Sequence, residues 1–133
     1  MYDPVGNRTS KSTSGTPETY TYASNSNRIA TLTPTSGPTR TFSFDSNGST
    51  INDGVNGYVY DSRGRMVQSV SVVGTTTYQI NALGQRIRKT NSTDDRVFHY
   101  DTKGKLIAES DPGGTAWKRE YIFLGDIPVG VVQ

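Results

Sequence analysis

The sequence predicts an all-β fold, built from repeated antiparallel β-hairpins that together make a curved, spiralling or barrel-like sheet. Three observations predict it. The chain of 133 residues holds 18 Thr and 14 Ser but only 4 Leu, 5 Ala and 2 Met, a balance that excludes a helical bundle and favours strands and turns. An eight-residue phrase recurs at a period of about twenty residues. Twelve of the 13 aromatic residues fall at two fixed positions of that phrase, and only Trp117 stands outside.

The phrase reads aromatic, Asp, two variable residues, Gly, polar or basic, basic or apolar, apolar. Its first copy runs from Tyr2 and Asp3 through Gly6 to Arg8. A degenerate second copy, Tyr22 to Ile29, keeps the register without Asp or Gly. The third holds Phe44, Asp45 and Gly48, and the fourth holds Tyr60, Asp61, Gly64 and Arg65. In the fifth, Ile80 and Asn81 replace the aromatic and the Asp, while Gly84 is kept. The sixth is Tyr100, Asp101, Gly104 and Lys105, and Tyr121 to Asp126 begins a seventh and departs from it.

Asp at the first corner of a turn accepts a backbone N–H from two residues on, and Gly three residues later tolerates positive φ. Asp-x-x-Gly is therefore a type I turn closed by a glycine bulge, a common hairpin connection. The flanking segments alternate or are β-branched, as in Tyr58-Val59-Tyr60 and Met66 to Val70, so both arms are strands. Second turns fall at Ser14 to Pro17, Val73 to Thr75, Ser92 to Asp95 and Asp111 to Gly114. One period is one hairpin, and six periods give about a dozen short strands in a single domain, 1–133.

Residues i and i+2 of a strand share a face. Tyr20 and Tyr22, Phe42 and Phe44, Tyr58 and Tyr60, Phe98 and Tyr100, and Tyr121 and Phe123 are such pairs; Tyr2 and Tyr78 are single members. Side-by-side hairpins would align these rings into two ladders on one sheet face. Arg8, Arg28, Arg65, Arg86 and Lys105 follow the turns and either lie over neighbouring rings as cation–π partners or stand solvated on an outer edge. The ladder is read as the packed apolar face of the sheet, since the chain has little other apolar stock; exposed in a polar groove, it would stack sugar rings.

Absent residues exclude chemistry. Without Cys there is no thiol nucleophile, disulfide framework or iron–sulfur cluster, and His99 alone cannot make a two-histidine metal site. A net charge of +2 from 14 basic and 12 acidic residues, interleaved without a basic run, gives no nucleic-acid footprint. No segment approaches a membrane span, and no signal peptide opens the chain. The aspartates have a sufficient role at turn corners, and Asp94-Asp95 reads as a charged turn rather than a carboxylate dyad. His99 reads as a surface histidine on the face opposite the rings, and the sequons at Asn7, Asn47 and Asn91 as chance in a chain rich in Ser and Thr. No catalytic residue, cofactor site or metal site is assigned.

Tyr-Asp-x-x-Gly-Arg-Met/Leu at this period, led by aromatic-x-aromatic, resembles the YD repeat of the Rhs (rearrangement hotspot) family, which includes the C subunits of Tc toxin complexes and the teneurins. Residues 121–133, with Leu124-Gly125-Asp126-Ile127-Pro128-Val129, resemble the start of the Rhs-associated core. The resemblance implies a segment of a larger bacterial shell, exported or displayed at the cell surface, that encloses and helps deliver a C-terminal toxin. Its implied partners are the remainder of the shell and the enclosed toxin segment. A different class of function is a cell-surface module that binds a carbohydrate or receptor through its Tyr rows. Asp111-Pro112-Gly113-Gly114 lies upstream of the core-like segment and is read as a turn. An open strip of this size exposes an apolar face and two edges, so it either rolls up or self-associates through strand edges, with Ile127 to Val132 as uncovered strand material. The half that contains Tyr22 and the stretch from Ser46 to Gly57 is expected to be the less ordered one.

Overall fold

The computed structural model describes residues 1–12 and 15–133. The turn expected at Ser14 to Pro17 starts on Ser14, which lies outside the described residues. Among the described residues there is no helix and there are fourteen strands: β1 (Ser10–Lys11), β2 (Glu18–Tyr22), β3 (Ile29–Thr33), β4 (Arg40–Thr41), β5 (Ser43–Phe44), β6 (Thr50–Asn52), β7 (Gly57–Tyr60), β8 (Met66–Ser71), β9 (Gly74–Ile80), β10 (Arg86–Thr90), β11 (Asp95–Tyr100), β12 (Leu106–Ser110), β13 (Trp117–Leu124) and β14 (Ile127–Val132). The first four form one sheet and β5 to β14 a second, each with neighbours in chain order and antiparallel. A meander follows directly from the hairpin period, because every connection is too short for a crossover.

The ten-stranded sheet ends at β14 and β5 and is not closed into a barrel. Closure would require those two strands to pair. β5 offers only two residues, and Pro128 in β14 has no amide N–H to give. The chain divides into two compact units, Met1–Tyr58 and Val59–Gln133.

In the first unit, the chain changes sheet within the aromatic pair Phe42 and Phe44. The Phe42 N–H donates to Ala30 O at 2.9 Å, which keeps Phe42 with β3, while Ser43 pairs with Asn52 in the other sheet. One face of β2 to β4 carries threonines in register, with Thr21 opposite Thr31 and Thr31 opposite Thr41. The Oγ1 atoms of Thr21 and Thr31 lie 2.7 Å apart, and those of Thr33 and Thr39 3.1 Å apart.

In the second unit, the deepest burial lies where β11 meets β12. Phe98 is 7% exposed, Ala108 8%, Glu109 3% and Ser110 0%. Phe98 stands opposite Glu109 and His99 opposite Ala108, so a carboxylate shares a face with the most buried ring. β14 is an outer strand, and Ile127, Val129, Val131 and Val132 on it are all exposed.

Candidate functional site

Each well-formed phrase folds into the same small machine. The aspartate Oδ1 accepts the backbone N–H of the residue two on and that of the residue four on: Val5 and Asn7 on Asp3 at 3.1 and 2.7 Å, Asn47 and Ser49 on Asp45 at 2.9 and 2.8 Å, Arg63 and Arg65 on Asp61 at 2.9 and 3.0 Å, and Lys103 and Lys105 on Asp101 at 2.8 and 2.9 Å. Asn81 does the same with its amide oxygen, to Leu83 and Gln85, both at 3.0 Å. A carboxylate is therefore not required at this corner; an oxygen at that reach is. The glycine N–H closes each turn onto the first residue's carbonyl, as Gly64 does to Asp61 at 2.9 Å, with φ near 73° at Gly64 and 90° at Gly48.

These bonds also set charge. The Arg65 side chain, followed by its backbone N–H, holds the Asp61 carboxyl below the usual range, and the Lys105 N–H does most to lower Asp101.

Several successive phrases are clasped together, the first and second in both directions. Backwards, the phrase tyrosine donates its hydroxyl to a carbonyl fourteen residues earlier: Tyr22 to Arg8 O at 2.8 Å and Tyr100 to Arg86 O at 3.0 Å. Forwards, the polar residue that follows the turn glycine reaches the next turn. Asn7 Nδ2 donates to Asn27 Oδ1 at 3.2 Å, Arg65 Nη1 to Asn81 O at 2.9 Å, and Lys105 Nζ to Gly125 O at 2.7 Å, with Asp126 pairing the same ammonium.

Cations lie over the rings. Arg28 covers Phe44 at 5.7 Å from the ring centroid, Arg40 covers Phe42 at 5.4 Å, and Lys105 covers Phe123 at 5.3 Å. Arg86 sits between Tyr78 and Phe98, at 5.6 and 4.7 Å. Arg65 turns away, to Asp61 at 2.8 Å, and the neighbouring Tyr2 and Tyr20 hydroxyls raise the pKa of the Arg8 guanidinium. Most rings are half-buried; Tyr2 at 66% exposure is open to solvent.

On the ring face of the second unit lies a cleft of about 440 Å³ lined by Tyr78, Arg86, Lys89, Arg96, Phe98, Glu109 and Arg119. The register builds it: Tyr78 stands opposite Lys89, Lys89 opposite Arg96, and Glu109 opposite Arg119. Glu109 accepts from Arg96 Nη1 at 2.5 Å and from the Tyr121 hydroxyl. Burial pushes its carboxyl up, but Tyr121 and Arg96 outweigh it and the net shift is downward. Arg96 also pairs with Asp94 at 3.1 Å, and Asp94 receives Lys118.

The opposite face brings His99 Nε2 to 2.8 Å from Ser110 Oγ, with the Trp117 ring edge-on to the imidazole at 5.3 Å. This geometry is not a nucleophile. Ser110 is wholly buried, and its hydroxyl proton is committed to Asp111 O at 2.8 Å, so it accepts from His99 Nε2–H. Asp94 and Asp95 point to separate partners, Asp94 to Arg96 and Lys118 and Asp95 to Arg88. Among the described residues, no three His, Asp or Glu side chains are grouped to hold a metal ion. Asp111 caps its own turn, accepting from Thr115 and Ala116 at 2.8 and 3.0 Å.

Sequence reasoning missed the forward clasp, the cleft and the His99–Ser110 pair. The clasp had a signal, the invariably polar residue after the turn glycine. The cleft had none, since its cations come from separate strands. The family model described as Teneurin YD-shell matches residues 1–123, nearly the full length of the chain. No curated protein matches it.

Proposed function

The chain belongs to the teneurin YD-shell family, and from that premise we propose that it is a non-catalytic wall segment of a bacterial Rhs-type toxin shell, one that encloses and helps deliver a C-terminal toxin. The observation that carries this is the two-way clasp between successive turns. It ties the first turn to the second in both directions and links the turns at Arg65, Arg86 and Lys105 to a neighbouring turn, which is what a long wall needs and an isolated binding module does not. The remaining partners are the rest of the wall, joined through exposed strand edges such as β14, and the enclosed segment.

The reading also places the protein outside the producing cell or on its surface. Among the described residues, no helix is long and apolar enough to cross a membrane. Glycan binding through the tyrosine rows is the weaker reading, because cations cover several of the rings that would stack sugars.

Limited proteolysis of the native gene product tests the proposal. The expected result is a product many hundreds of residues long whose C-terminal segment resists protease until the shell is opened by denaturant. Immediate cleavage of that segment in the native protein would refute enclosure, and a native product of 133 residues would refute the wall.

A further inference from the structure

The ring-face cleft of the second unit carries a charge imbalance that the wall does not need. Four cations, Arg86, Lys89, Arg96 and Arg119, line it against one carboxylate, Glu109. Lys89 and Arg96 are directly opposite each other, an arrangement of like charges that costs a sheet stability. Glu109 answers the Arg96 side of it and leaves Lys89 without an ion pair among the described residues. One of its oxygens holds Arg96 and the other receives the Tyr121 hydroxyl. Arg119, although in register with Glu109, forms no ion pair among the described residues, and neither do Lys89 and Arg86. Arg86 is held by the faces of Tyr78 and Phe98, which fix the guanidinium without neutralising it.

We infer that this cleft is a binding site for a doubly charged oxyanion, a phosphoryl or sulfate group. Three cations that form no ion pair among the described residues, Arg86, Lys89 and Arg119, line the cleft beside a single carboxylate that is already bonded to Arg96. Two are guanidinium groups, whose planar donor fork matches paired oxyanion oxygens, and the third is an ammonium, a point charge suited to the remaining oxygen. Arg96 is already held by Glu109 and Asp94, so its role is to fix the floor of the cleft. The site lies wholly within Val59–Gln133, and its presence or absence leaves the wall reading unchanged.

The test is a titration of the 133-residue chain at low ionic strength, followed by backbone amide NMR shifts, with inorganic phosphate, inorganic sulfate, acetate and chloride at matched ionic strength. Saturable shifts confined to β9 to β13 are expected for phosphate and sulfate, with acetate weaker by roughly tenfold or more. Lys89→Met and Arg119→Gln should each weaken phosphate roughly tenfold, the scale of one charge-assisted hydrogen bond. Thermal unfolding confirms that both variants remain folded, and a Lys103→Gln control on an exposed turn should leave binding unchanged. Equal shifts with acetate or chloride, shifts spread over the whole chain, or phosphate binding that survives both cleft variants would overturn the proposal. A sulfated disaccharide serves as the last probe: tighter binding than free sulfate identifies a glycan-borne group, equal binding a free ion, and no binding to either removes the site.

Discussion

Replacing Glu109 by Gln keeps the volume of the side chain and removes its charge, at the residue on which the second unit's polar interior converges. Both partners of the carboxylate are donors, the Arg96 guanidinium and the Tyr121 hydroxyl, and Glu109 is 3% exposed. Gln offers an acceptor oxygen and a donor amide, so the Tyr121 hydroxyl must rotate to accept, and Arg96 loses one of its two ionic partners. Breaking a fully buried pair costs about 3–5 kcal/mol. Arg96 retains Asp94 at 3.1 Å, and its side chain is 22% exposed, so water shares part of the load. The expected loss is about 2 kcal/mol, rising to about 3 kcal/mol in Glu109→Ala, where Tyr121 is orphaned as well.

Urea unfolding read by the fluorescence of Trp117, the single tryptophan and a residue of this same unit, measures it directly. The sign with pH is also fixed. The Glu109 carboxyl is lower in the folded chain than its ordinary 4.5, so its contribution is fully present above that value and is lost as pH falls through the lower, folded one. Glu109→Gln should lack this component and give a flatter acid limb. A variant that unfolds within about 0.3 kcal/mol of the parent, with an unchanged acid limb, would show that the carboxylate holds nothing and would refute the reasoning.

Three further outcomes are expected. Gly54→Ala should destabilise the first unit by roughly 2 kcal/mol or more, because φ is +84° there and an added Cβ would lie 2.7 Å from Arg40 Cα, a backbone atom that cannot step aside; tyrosine fluorescence in urea measures it, and Gly64→Ala, with open space around its Cβ, should cost only the conformational part. Ser110→Ala should cost about 1–3 kcal/mol by leaving the His99 Nε2–H without its partner and Asp111 O with the Gly114 N–H alone, read by Trp117 in urea, whereas a neutral result would place water in that site. Acid should unfold the chain between about pH 4 and pH 2, since the backbone N–H groups of Asn56 and Val55 overcome the burial of Asp53 and hold it at about 2, and Arg88 holds Asp95 at about 2. Stability that rises on acidification, followed by circular dichroism, would contradict this sign.

What was legible in the sequence is what repeats locally. The turn chemistry lies within five consecutive residues, so spacing alone displays it, and even the copy at Asn81 works because an amide oxygen reaches as far as a carboxylate oxygen. Strand parity displays the alternation of rings equally well. The change of sheet at Phe42 was not legible: Phe42 and Phe44 have the same spacing as Tyr58 and Tyr60, and only the Phe42 N–H bond to Ala30 O separates them. The cleft was hidden for the same reason on a larger scale. Lys89, Arg96 and Arg119 look like scattered charges until the register of β10 to β13 places them on one face. Distance in the chain, and not weakness of the pattern, sets the limit of what could be read.

The scarcity of core then explains the interleaving of charges and rings. Among the described residues only Phe98 and Ala108 are buried apolar groups, too little to stabilise a domain of this length by burial alone. A ring left half-exposed on a sheet gives up much of its hydrophobic contribution; a cation laid across its face adds attraction and shields apolar area with the stem of the same side chain. Arg86 does this for two rings at once while its own carbonyl receives Tyr100, so one residue joins three others without a layer of packing above it. Stability assembled in this way is a sum of neighbouring grips. Glu109→Gln should therefore accelerate amide hydrogen exchange most in β11 to β13 and progressively less toward β8, whereas a uniform acceleration across Val59–Gln133 would mean that the unit is held by a single cooperative core after all.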